Sequence, residues 1–90
     1  MTRTTLPGAE LIEQGLKDLA TGTETVESLL VSIAAPRLRT LGYVVSAVFE
    51  HAELRLYQLL ANQYGDGAHS QYNALIRRVV SFQRAAACAR

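Results

Sequence analysis

The sequence predicts an all-α fold, a small bundle of about four helices, and three observations lead there. Apolar residues recur at helical spacing over most of the 90 residues. Glycine, proline and capping residues cut the chain into segments of helix length. Only one stretch, residues 43–49 (YVVSAVF), has strand character, and no second stretch exists to pair with it.

The first segment covers residues 7–21. Pro7 suits a first helical turn, where its missing N–H leaves nothing unsatisfied, and Gly22 suits the position just past the end. Ala9, Ile12, Leu16, Leu19 and Ala20 share one arc at 100° per residue, while Glu10, Gln14, Lys17 and Asp18 share the other. Gly15 reads as a close helix contact.

The second segment, residues 25–41, opens on Thr25 as N-cap, with Glu27 in the first turn facing the positive end of the helix dipole. Val26, Leu29, Leu30 and Ile33 make one apolar stripe. Val31 and Leu38 fall nearly opposite it, so this helix should meet neighbours on two faces. Those two residues are therefore candidate contacts in an oligomer. Pro36 cannot donate to the carbonyl of Ser32, which predicts a kink or a break there, and Gly42 is the stop.

Residues 43–49 admit three readings: a loop, the start of a helix, or a strand paired with another subunit. The helical reading has Ser46 as N-cap of a third helix over 46–64, burying Val48, Phe49, Ala52, Leu56, Leu59, Leu60 and Tyr64. Gly65-Asp66-Gly67 is a turn. A fourth helix over 68–87 buries Tyr72, Leu75, Ile76, Val79, Val80 and Phe82 and shows Asn73, Arg77, Arg78, Ser81 and Arg84 on its polar side. The short connections imply antiparallel neighbours within a single domain spanning 1–90, with 1–6 and 88–90 as flexible ends.

Composition removes several function classes. At 49% hydrophobic residues and a net charge of +1 the chain is not intrinsically disordered. No apolar run approaches the ~18 residues of a membrane span. One cysteine, Cys88, excludes an internal disulfide, and the polar N-terminus lacks an apolar signal core, so a cytoplasmic location is expected. Area scaling for this size predicts a folded surface of about 5,200 Å² against about 14,000 Å² for the open chain. A core that small does not readily hide 13 Leu and 13 Ala when only 19% of residues are charged. Self-association as a homodimer or higher oligomer is expected on that ground.

Charge is distributed unevenly. Residues 1–66 carry five basic and eight acidic groups, net −3, while residues 67–90 carry four arginines and no acid, net +4. Opposite charges of this kind steer helix or subunit packing. A sharper reading makes Asn73, Arg77 and Arg84 a stripe for phosphate or an acidic partner. For nucleic acid the overall charge of +1 is low, although a symmetric dimer would double the basic patch.

Two charged residues, Arg37 and Glu53, fall on faces that otherwise look buried. A buried charge requires a partner, so they are candidates for pairing with each other, or Glu53 with Arg77. Catalysis would need Glu53 to act as a buried acid of raised pKa inside an ordered pocket. His51 points with polar residues on the third helix, and His69 lies in the first turn of the fourth. Their separation, without HxxxH or CxxC spacing, gives no metal site. No serine sits in a nucleophile elbow and no glycine cluster cradles phosphate, so no cofactor is expected. Tyr57, Tyr64 and Tyr72 flank the Gly-Asp-Gly turn and, with His69, Asn62, Asp66 and Asn73, make a candidate polar-aromatic end of the bundle.

No motif is specific enough to name a family. The expected function, reached by exclusion, is a non-enzymatic protein–protein interaction or oligomerisation module. The alternative is a nucleic-acid-associated regulator that uses the basic C-terminal helices of a dimer.

Overall fold

The computed structural model describes residues 6–45 and 47–88, and these are all-helical, with no strand. Helix α1 spans Ala9–Ala20, α2 spans Val26–Thr40, α3 spans Ala52–Tyr64 and α4 spans Ala68–Cys88. Between α3 and α4 lies only the 3-10 turn Gly65–Gly67. Counted as unbroken helical runs there are three rather than the four expected, because α3 passes through that turn into α4 with no loop between. Gly65, at φ +57°, accommodates the reversal, and the two arms pack on each other.

The ends of α1 are set by glycine. Gly8 takes φ +76° before the first turn, and Gly22 at φ +73° sends its N–H to the carbonyl of Leu19 at 3.1 Å. Pro7 lies in the turn ahead of the helix rather than inside it. Ile12, Leu11 and Gly15 are buried, Ala9, Leu16 and Leu19 partly so, while Ala20 is exposed.

Thr25 caps α2 as expected. Its hydroxyl accepts from the Ser28 N–H at 3.1 Å, and the Ser28 hydroxyl accepts from the Thr25 N–H at 2.7 Å. The Thr25 hydroxyl also donates to Asp18 at 2.6 Å, tying the cap to the end of α1. Helix α2 is the central element: it packs against α1, α3 and α4, and Leu29, Leu30, Val31, Ala34, Ala35 and Leu38 are all in the core.

The break predicted at Pro36 does not occur; α2 runs through it unbroken to Thr40. A proline in a helix interior costs about 3 kcal/mol. Pro36 lies on the exposed side while Ala35 and Leu38, either side of it, are held in the core. Burial of a leucine is worth roughly 1.5–3 kcal/mol, enough to keep the turns on both sides of the ring helical.

The connection from Leu41 to His51 is a loop where described, neither the start of a helix nor a strand, and the Ser46 cap lies outside the described residues. Its backbone is held by groups from α2. Arg39 donates through Nε and Nη2 to the carbonyl of Val45, at 3.2 and 2.9 Å, and Val45 is buried. The Phe49 N–H donates to the Ser32 hydroxyl at 3.1 Å, and that hydroxyl donates to the Ser28 carbonyl at 2.9 Å. Tyr43 stacks at a tilt on Phe82, with centroids 5.7 Å apart. Helix α3 thus begins six residues later than expected, after His51 in the left-handed region at φ 54°.

Candidate interaction surface

Val31 and Leu38 are not a second face awaiting another subunit. Both are 0% exposed and belong to the core of the single chain. The two-sided apolar pattern of α2 is real, but α1, α3 and α4 of the same chain surround it. The residues offered as an oligomer contact are thus consumed by folding.

Arg37 and Glu53 are corrected in the opposite sense. Both are exposed, and they form no ion pair with each other. With the start of α3 moved to Ala52, Glu53 falls in the first helical turn and its carboxylate reaches solvent. It lies near enough to Tyr72 to act on it: burial first, and the negative charge of Glu53 second, hold the Tyr72 phenol above the usual tyrosine range. An exposed carboxylate of this kind is not the buried acid that catalysis would require.

The aromatic end is assembled in part. Tyr57 of α3 meets Tyr72 of α4 at 5.8 Å and His69 at 6.5 Å between ring centroids. Asn73 Nδ2 lies 3.2 Å from His69 Nε2. Tyr64 stands apart from this cluster, half exposed at the end of α3. Asn73 is therefore engaged with the aromatic group, whereas Arg77 and Arg84 are exposed and make no hydrogen bond or ion pair among the described residues.

Among the described residues, concave regions flank α2. One, of about 390 Å³, is lined by Ser32, Ile33, Pro36, Phe49, His51 and Glu53 among others. The Ser32 hydroxyl there is already committed to Phe49 and Ser28. Among the described residues no group of three His, Cys, Asp or Glu side chains is placed to hold a metal ion.

The most coherent exposed apolar surface lies on α3 and involves a residue that sequence reasoning passed over. Leu54 is 59% exposed, Tyr57 40% and Tyr64 50%, and Ala61 between them is exposed as well. These four recur at intervals of three, four and three. That spacing places them within about 80° of arc on a helix of 3.6 residues per turn. The 3-4-3 spacing is the one that lines a seam between paired helices. The face expected to be buried, Ala52, Leu56, Leu59 and Leu60, does face the core, but Tyr64, also expected there, is exposed, and Leu54 and Ala61 were not singled out. The polar residues on one side of the seam, Gln58 and Asn62, are uncharged, while Glu53 borders it on the other side at the N-terminal end.

Fold and surface together define a small all-helical protein with an exposed aliphatic-aromatic run on α3 and a basic C-terminal helix. No helix among the described residues is long and apolar enough to cross a membrane. The chain matches no protein-family model, no curated protein and no solved structure.

Proposed function

We propose that the protein is a helical interaction module that pairs with a second copy of itself along the α3 seam. The observation that carries this is the exposed run Leu54, Tyr57, Ala61 and Tyr64 on a chain whose other strongly apolar residues are largely in its core. A two-fold pairing sets the same surface against itself, so it tolerates no net charge at its centre. The α3 seam meets that condition, since Gln58 and Asn62 flank it and Arg55 is drawn aside by Glu24 at 3.5 Å. Antiparallel pairing keeps the two Glu53 carboxylates at opposite ends and sets the helix dipoles head to tail.

The magnitude is modest. The seam runs over about 15 Å of helix, short of what a stable interface of more than about 1,000 Å² requires. Association is thus concentration-dependent, with contributions from Tyr72 and His69 beside Tyr57.

The experiment compares Leu54→Glu with Val44→Glu by sedimentation velocity. Val44 is 87% exposed but lies off the seam in the 41–51 loop. Leu54→Glu should abolish association while leaving the far-ultraviolet circular dichroism unchanged, and Val44→Glu should alter neither. Equal loss of association in both, or in neither, removes the seam from the role.

A further inference from the structure

Six arginines lie among the described residues, and three are engaged. Arg39 is bonded to the Val45 carbonyl, Arg55 is paired with Glu24, and Arg78 is paired with Glu10 of α1. Arg37, Arg77 and Arg84 make no hydrogen bond or ion pair among the described residues. Two of these three, Arg37 near the end of α2 and Arg84 near the end of α4, line one groove. Val80, Gln83, Ala87 and Cys88 complete it, and its volume is about 510 Å³. Among the described residues no carboxylate lines the groove.

We infer that this groove binds a small anionic amphiphile, a carboxylate with a short aliphatic tail. Guanidinium groups from two helices line this one groove, and their charge-assisted hydrogen bonds to a carboxylate are about twice as strong as neutral ones. The methyl groups of Val80 and Ala87 offer the tail an apolar wall, and taking its methylenes out of water favours binding. The volume falls within the roughly 300–1,000 Å³ of small-molecule sites. Electrostatic logic points the same way. The final helix carries no acidic residue, and of its three arginines only Arg78 is paired, leaving Arg77 and Arg84, with Arg37 of α2, without an ion pair among the described residues. Arg37 gains from the negative end of the α2 dipole, but that alone gives no reason for a second free arginine to share its groove. The groove shares no residue with the α3 seam, so the inference stands independently of self-association.

Cys88 makes the test direct, because the chain's only thiol lies on the groove wall and is exposed. The probe is octanoate. Its binding is read by slowed alkylation of Cys88 and by shifts in the amide resonances of Val80 and Ala87. Octanol, inorganic phosphate and a short single-stranded RNA serve as comparison ligands. Octanoate should bind at least tenfold more tightly than any of the three, and Arg37→Gln/Arg84→Gln should weaken it at least tenfold with circular dichroism unchanged. Arg77→Gln, off the groove, should leave octanoate binding as it was. The inference is overturned if octanoate does not protect Cys88, if octanol or phosphate binds equally well, if RNA binds more tightly through the same arginines, or if the double variant binds octanoate unchanged.

Discussion

A β-carbon placed on Gly15 would lie 2.4 Å from the carbonyl oxygen of Glu27 and 2.4 Å from Cγ2 of Val31. Helices α1 and α2 therefore cross with backbone against backbone at this point, and no side chain larger than hydrogen fits. Gly15→Ala should destabilise the fold by about 1–3 kcal/mol, the range for overpacking a filled core, and more if the carbonyl cannot shift. Urea unfolding measures this as a lower midpoint. Gly22 is a useful contrast, since nothing lies within 4 Å of its added β-carbon and only its φ of +73° resists substitution. Gly22→Ala should cost about 1–2 kcal/mol through backbone strain alone.

Leu38 and Val31 distinguish folding from association. Leu38→Ala should cost about 2–5 kcal/mol, as truncation of a fully buried leucine does. Val31→Asp places an unpaired carboxylate in the same core and should unfold the chain. Circular dichroism under native conditions checks both. A folded monomer from Val31→Asp would return these residues to the role of an oligomer contact.

The Ser32 hydroxyl is the single side-chain anchor of the Phe49 amide. Ser32→Ala removes the acceptor and leaves that N–H in a partly buried place without a partner, at a cost of about 1–3 kcal/mol. The consequence is local as well as global, since the loop between α2 and α3 loses its tie to α2. Amide hydrogen exchange at Phe49 should accelerate markedly in the variant while the centre of α2 retains its protection.

Tyr72 links stability to alkaline pH. Its folded pKa is raised, by burial and then by Glu53, above the value of about 10 that applies in the unfolded chain. The folded state therefore holds the phenolic proton more tightly. The associated stability is full below pH ~10 and declines as pH rises through the folded pKa. In a tyrosinate absorbance titration Tyr72 should ionise above the usual tyrosine range. Tyr72→Phe should remove that late component, and Glu53→Gln should move it part of the way back.

The parts of this fold that were legible in the sequence are those fixed by local chemistry. Thr25 as a cap, Gly22 and Gly42 as stops, the Gly65–Gly67 turn and the close contact at Gly15 each depend on a residue type with a narrow set of conformations. What was not legible depends on tertiary partners. Pro36 reads as a kink or a break, yet α2 is one helix through it, with Ala35 and Leu38 held in the core on either side. Val48 and Phe49 carry an apolar pattern that suits a helix, but the bonds from Arg39 and Ser32 hold the connection as a loop. That shift leaves the buried face of α3, with Ala52, Leu56 and Leu60, as expected, but removes Val48 and Phe49 from the helix. Glu53, now in the first turn and no longer beside a helical Phe49, is exposed, as is Leu54. Val31 and Leu38 erred for a related reason: an all-round apolar helix signals a central position, and the neighbours it needs can come from the same chain.

The most direct test of the account is the solution molar mass of the wild-type chain by light scattering, across a wide range of concentration and beside Leu54→Glu. Pairing through α3 predicts that the wild-type mass rises with concentration from 9.8 kDa towards twice that value, while Leu54→Glu stays at 9.8 kDa throughout. A wild-type mass fixed at 9.8 kDa at every concentration, or a Leu54→Glu chain that associates as readily as the wild type, would contradict it.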